Sequence, residues 1–369
     1  MSGLEGETIA DTQKSRVDGK VGELIYHGYN ILDLGENADF EEVAYLLWNN
    51  EYPNAEQLAA FDAELKALRT IPDVVMTVLK ALPKDGHPVA ALRTAVSAMA
   101  LTDPDADDVN LENSLAIAKN LVASIPTIVA AWERLRKGLE PLAPRDDLNH
   151  AANFLYMFTG EEPSAEAVDA IDKYLVLLAD HGFNASTFSA RVTTGTLSDM
   201  YSAITTAIGT LKGPAHGGAT QAAMTQFIDA QKMGPQEWFD DARANGKRVM
   251  GIGHRVYKVE DPRAKILRPL AEKLAANHEQ GYWYDVALGV EQAARKDAYF
   301  IDRNLFPNVD YYSAPALYML GIPLDTFTSL FTMSRVVGWT SHVLEQMENN
   351  RLIRPRANYV GPTGLKTSG

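Results

Sequence analysis

Only one stretch of this chain carries a strand signal, and almost everything after it is written in helical period. Residues 15–31 read as a short hairpin, with Val17 before an Asp18-Gly19 turn and Leu24, Ile25, Tyr26 and Tyr29 after it. From Asp39 the pattern changes: Asp39 with Glu42 makes a capping box ahead of Val43, Leu46 and Leu47 on one helical face. Asn54 and Gln57 repeat that start signal before Phe61, Leu65 and Leu68. The spacing predicts further helices over 73–82, 89–100, 111–135 (bent at Pro126, which has no N–H to donate), 165–178 and 186–211. The last of these is rich in Ser, Thr, Ala and Gly, so its backbone can approach neighbours closely, as in a buried or interface helix. After Gly213-Pro214 come 217–230, a polar stretch holding Gly234, Pro235 and Gly246, helices over 262–277 and 281–298, and an irregular segment over 303–313. A long helix over 324–349 precedes a basic tail with Arg351, Arg354 and Arg356. The expectation is an all-α protein with a separable lobe in its middle third.

With 369 residues, 46% hydrophobic and 22% charged, the chain can bury a sizeable core, as two domains. Its formal net charge of -14 opposes a nucleic-acid or anionic-membrane surface, so an anionic ligand needs locally clustered Arg, Lys and His. No run approaches the roughly eighteen apolar residues of a membrane span, and residues 1–13 lack the layout of a signal peptide, so a cytoplasmic location is expected. The absence of cysteine excludes disulfides, thiolate metal sites and a Cys nucleophile.

Three of the eight histidines sit among glycine and turn residues: His181 in Asp-His-Gly-Phe-Asn, His216 in Gly-Pro-Ala-His-Gly-Gly and His254 in Gly-Ile-Gly-His-Arg. A histidine in such a setting can be approached by a ligand and can donate from a ring nitrogen. Any one of them is equally well explained as a cap or core residue; three in one chain are harder to explain that way. No His-x-x-x-His spacing or carboxylate pair accompanies them, so no metal site is expected. Gly251 and Gly253 lack the third glycine and the strand of a dinucleotide loop, and neither a phosphate loop nor a Gly-x-Ser-x-Gly elbow occurs. Asp310 is a lone acid among turn and apolar residues, a setting that raises a carboxylate's pKa and suits proton abstraction, or else simply an Asx-turn. Arg263 stands at a helix start, Arg335 on an apolar helix and Arg354 in the tail; an arginine in an apolar face needs an anionic partner and fits a carboxylate bidentately, although any one alone is better explained by an internal salt bridge or a solvated surface.

Together these segments resemble the citrate synthase family. The likeness runs in order along nearly the whole chain: 3–6, 17–19, 24–29, 40–44, the His181 to Phe188 block, the 213–218 motif around His216, the 253–258 motif around His254, Asp261-Pro-Arg263, Asn308-Val-Asp310 and 354–360. The resemblance implies an all-helical fold with a large domain, 1–212 and 321–369, and a smaller mobile domain, 213–320. It implies condensation of acetyl-CoA with oxaloacetate and hydrolysis of citryl-CoA, a transferase step of the tricarboxylic acid cycle, without metal or prosthetic group. His216 resembles the donor to the thioester carbonyl, Asp310 the base and His254 the residue polarising the ketone. His181, Arg263, Arg335 and Arg354 resemble oxaloacetate ligands, Arg354 reaching across a homodimer. Lys258 and the backbone of Gly251, Ile252 and Gly253 resemble the CoA contacts. Three positions depart from the usual pattern: Gly182 where Glu is common, Thr220 where Asn is usual, and His27 where Arg is common. The alternatives are 2-methylcitrate synthase using propionyl-CoA, a non-catalytic helical binding module, and a cleavage-direction lyase for whose partner domain 369 residues leave no room.

Overall fold

A computed structural model describes residues 4, 6–276 and 278–367. The family-like motif over 3–6 and the ends of the expected 1–212, 321–369 and 262–277 segments therefore lie partly outside the described residues. The protein is 61% helix and 3% strand, the all-α architecture expected. The strands are Ser15–Asp18, Glu23–Tyr26 and Tyr29–Asn30, antiparallel in that order. The predicted hairpin thus gains a third strand, because His27 and Gly28, both at positive φ, make a second tight turn.

Capping boxes placed two helices, and apolar spacing placed most of the others to within a few residues. Asp39 and Glu42 close the box on Phe40–Asn49, and Asn54 with Gln57 does the same for Ala55–Ala67. The expected 186–211 helix is two helices, Ala185–Gly195 and Met200–Leu211, because Asp199 caps the second by accepting the Ser202 N–H at 2.8 Å. The polar 234–246 stretch is itself helical over Pro235–Ala244, with Pro at its start and Trp238, Phe239 and Ala242 buried. The irregular segment ends sooner than expected: Asn308 caps a helix, Val309–Met319, that includes Asp310. The helices Ile31–Asn37, His150–Thr159 and Ala298–Asp302 had no counterpart in the sequence reading.

The Phe327–Glu348 helix is buried on nearly every face and packs on Leu111–Arg136, Ala165–Leu178, Ala185–Gly195 and Met200–Leu211. A helix apolar all round belongs in a core. Leu111–Arg136 is long and apolar enough to cross a membrane, but most of it is buried against these neighbours. The helices between Ala219 and Met319 pack mainly on one another. They meet the rest through Pro262–Ala276 on Ile31–Asn37 and Ala165–Leu178, and through Ala219–Met233 on Phe327–Glu348.

Candidate active site

The His181 turn is held from three sides. Tyr26 Oη donates to the Asp180 carbonyl at 2.9 Å, and the buried Asp180 carboxylate accepts from Ser15 Oγ, from Gly182 N–H at 3.2 Å and from His342 Nε2 at 3.2 Å. Gly338 lets the Phe327–Glu348 helix come against this turn, since a Cβ there would stand 2.3 Å from the Ala179 carbonyl oxygen. The His181 ring meets those of His254 and Tyr257 with centroids 5.5 and 5.6 Å away, and its Nε2 lies 3.1 Å from Tyr257 Oη. Burial, with Arg263 beside it, depresses the His181 pKa well below the usual imidazole value.

His254 follows Gly251 and Gly253, whose φ of 78° and 93° suit glycine. The Gly253 N–H donates to the Phe306 carbonyl at 2.7 Å, and Asn308 Nδ2 donates to the Gly253 carbonyl at 2.8 Å, so this loop is tied to the cap that presents Asp310. His254 Nδ1 accepts from the Val256 and Tyr257 N–H groups at 3.0 and 3.1 Å. A nitrogen that accepts two backbone donors carries no proton, so in the neutral ring the proton is on Nε2. Burial, then Arg263, lowers the His254 pKa to about 4, which keeps the ring neutral at physiological pH.

His216 lies in the turn after Met200–Leu211, its Nε2 2.8 Å from Ser186 Oγ. Trp339 Nε1 donates to that oxygen at 3.0 Å, leaving the hydroxyl proton to Asn184 Oδ1, 2.7 Å away, or to His216. Burial, then Arg335, lowers the His216 pKa to about 4. Asp310, in the first turn of its helix, accepts the Thr220 hydroxyl on Oδ1 at 2.5 Å. Burial raises its carboxyl above the ordinary range, while Thr220, Arg263 and Arg335 pull the other way.

Arg263 is buried and paired bidentately with Asp261, Nε to Oδ1 at 3.0 Å and Nη2 to Oδ2 at 2.8 Å. Asp261 Oδ2 also accepts the Val309 N–H at 3.2 Å, joining this pair to the start of the Asp310 helix. Arg335 Nε donates to the Leu178 carbonyl at 2.7 Å, and its guanidinium lies over Phe331. Burial lowers the Arg335 pKa to about 10, which leaves it cationic. Gly251, Ile252 and Gly253 form the loop wall, and exposed Lys258 sits at its rim with Nζ donating to the Arg255 carbonyl at 3.3 Å. Arg354 is exposed in the 350–367 tail, and no contact joins it to the cluster among the described residues. Ser186, Trp339, Tyr257 and Asp261 were not singled out from sequence. Asp261, Ser186 and Tyr257 stand inside motifs already quoted, and only their side-chain partners reveal them.

The site is thus a set of neutral histidines, a buried carboxyl whose pKa burial raises, and two buried cations. The citrate synthase C-terminal-domain family profile matches residues 3–356 of this chain. The chain belongs to the citrate synthase family. It is 48% identical to the citrate synthase of Haloferax volcanii, over 98% of this chain and 96% of that protein. It is 40% identical to the 2-methylcitrate synthase of Mycobacterium tuberculosis, over 97% of this chain and 90% of that protein. Among solved structures, it resembles citrate synthase from Thermoplasma acidophilum in ternary complex with carboxymethyl coenzyme A and oxaloacetate: TM-score 0.94, 36% identity, 100% of this chain and 98% of that one.

Proposed function

We propose that this enzyme condenses acetyl-CoA with oxaloacetate and hydrolyses citryl-CoA to citrate and CoA. The observation that carries this reading is the tautomer of His254, a neutral ring whose only proton, on Nε2, is available to a ketone oxygen. A carboxylate is a weak base toward a carbon acid, so the developing enol oxygen must be stabilised as the proton leaves. Asp310 takes the methyl proton of acetyl-CoA. His216 donates to the thioester oxygen: when the Ser186 hydroxyl proton turns from Asn184 to Nε2, the neutral ring keeps its proton on Nδ1. The enol carbon then attacks the oxaloacetate ketone, whose oxygen His254 polarises and protonates. Water cleaves the thioester, giving citrate and CoA.

His181, Arg263 and Arg335 bind the dicarboxylate, Asp261 presetting the Arg263 fork. Lys258 and the 251–253 backbone bind CoA. Residues 213–320 close on 1–212 and 321–369 to exclude water. Arg354 completes the site of a second copy, making a cytoplasmic homodimer of the tricarboxylic acid cycle. No metal or prosthetic group takes part.

CoA release is the direct assay, with acetyl-CoA or propionyl-CoA, each with and without oxaloacetate. Oxaloacetate-dependent release with a higher kcat/KM for acetyl-CoA is expected. One methylene in an apolar pocket discriminates by only about 1–3 kcal/mol, so a reversed preference would make propionyl-CoA the substrate with the same residues. No oxaloacetate dependence with either thioester sinks the reading. For Arg354, inactive Arg354→Ala and inactive Asp310→Asn chains refolded together should regain activity, because half the sites of a mixed dimer then hold neither lesion. Mixtures as inactive as their parents would place Arg354 in its own chain's site.

A further inference from the structure

Thr220 is a place where this chain departs from the family pattern, and its side chain is spent on the base. It is 2% exposed, in the first turn of Ala219–Met233, four residues after His216. Threonines elsewhere in these helices donate to the carbonyl one turn back, as Thr225 does to Gln221 at 2.9 Å and Thr206 to Ser202 at 2.8 Å. Thr220 instead donates across to Asp310 Oδ1 at 2.5 Å. Resting on the proposed reaction, we infer that Thr220 is a positioning residue: its hydroxyl fixes the Asp310 carboxylate, keeps it ionised, and leaves Oδ2 as the atom that takes the proton.

A carboxylate with one oxygen tied loses a rotational freedom and gains a donor that favours its charged form. The other charged or titratable groups around Asp310 are Arg263 and Asp261 at the start of Pro262–Ala276, Arg335 on Phe327–Glu348, and Tyr174 on Ala165–Leu178. The two arginines favour the anion and Asp261 opposes it, while burial opposes it most. Thr220 is thus the uncharged contact that keeps the base usable. Both residues lie within 213–320, so closure of that lobe leaves their bond intact. The same helix start also links Asp310 to the turn carrying His216, coupling base to electrophile.

The test compares Thr220→Val, which keeps the shape, with Thr220→Ser, which keeps the hydroxyl. In Thr220→Val the acid limb of the kcat profile should move up by about one pH unit, roughly tenfold less activity on that limb, with the oxaloacetate KM unchanged. Thr220→Ser should restore the wild-type limb. Carbon-13 NMR titration of Asp310 in the unliganded protein should show the same upward move, whether or not the enzyme turns over. Superimposable Asp310 titrations in wild type and Thr220→Val overturn the inference even in an active enzyme, as does a Ser variant that behaves like Val. If Val disrupts the helical circular dichroism, Thr220→Ala carries the same expectations. A wild type without oxaloacetate-dependent CoA release overturns the reaction instead, and the NMR comparison still decides the Thr220–Asp310 coupling.

Discussion

Asp310→Asn should lower kcat for oxaloacetate-dependent CoA release by about 10^3-fold or more while leaving the oxaloacetate KM within a few-fold. General-base catalysis contributes typically 10²–10⁴, and the amide keeps the shape of the carboxyl and an oxygen for Thr220 to bond. The same substitution should raise stability at neutral pH. Burial holds the Asp310 pKa above its ordinary value of 3.8, so the folded chain binds more protons than the unfolded one above that value. Stability contributed by this group therefore falls as pH rises from about the unfolded pKa through the folded one, and Asn removes that loss. A variant that is more heat-stable and nearly inactive is the signature of a carboxyl kept for chemistry rather than for folding. Urea denaturation at pH 7 beside steady-state kinetics checks both halves. A kcat within about tenfold of wild type rules Asp310 out as the base.

How much of this was legible in the sequence depended on the range of the interaction. Caps are local, so Asp39, Glu42, Asn54 and Gln57 announced their helices from a few residues. The break at 196–199 is equally local, but a stripe of small residues over 186–211 obscured the Asp199 cap. The Pro235–Ala244 helix was missed because its buried face is only Trp238, Phe239 and Ala242 amid charges. At the site, motifs singled out His181, His216, His254, Asp310, Arg263 and Arg335, which the fold gathers, and Arg354, which stays apart from them among the described residues. What they could not give is who holds them. Ser186 reaches His216 across 30 positions, Thr220 reaches Asp310 across 90, and Trp48 bonds Thr340 across 292. No periodicity encodes such contacts; they follow from which helices the core brings together.

Asp261→Ala should be the most destabilising single change in the site, by about 3–5 kcal/mol, because it strands a guanidinium that is only 3% exposed. The loss does not end at the pair. Asp261 also accepts the Val309 N–H, so removing it leaves the start of the Asp310 helix without one of its anchors. Its pH dependence has the opposite sign to that of Asp310. Burial alone would raise the Asp261 pKa, but Arg263 holds it below the ordinary value of 3.8. A depressed carboxyl stabilises the fold above its unfolded pKa, and that contribution is lost as pH falls through the folded value. The gap between wild type and Asp261→Ala should therefore stay constant from neutral pH down to about pH 4, then close below it. Denaturant midpoints at pH 7, 5 and 3 read this directly, and Asp261→Asn, which keeps an acceptor but no charge, should fall between the two. A gap under about 1 kcal/mol at pH 7 would mean that solvent or a neighbour already satisfies Arg263, and Asp261 could not then be what presents it to a substrate carboxylate.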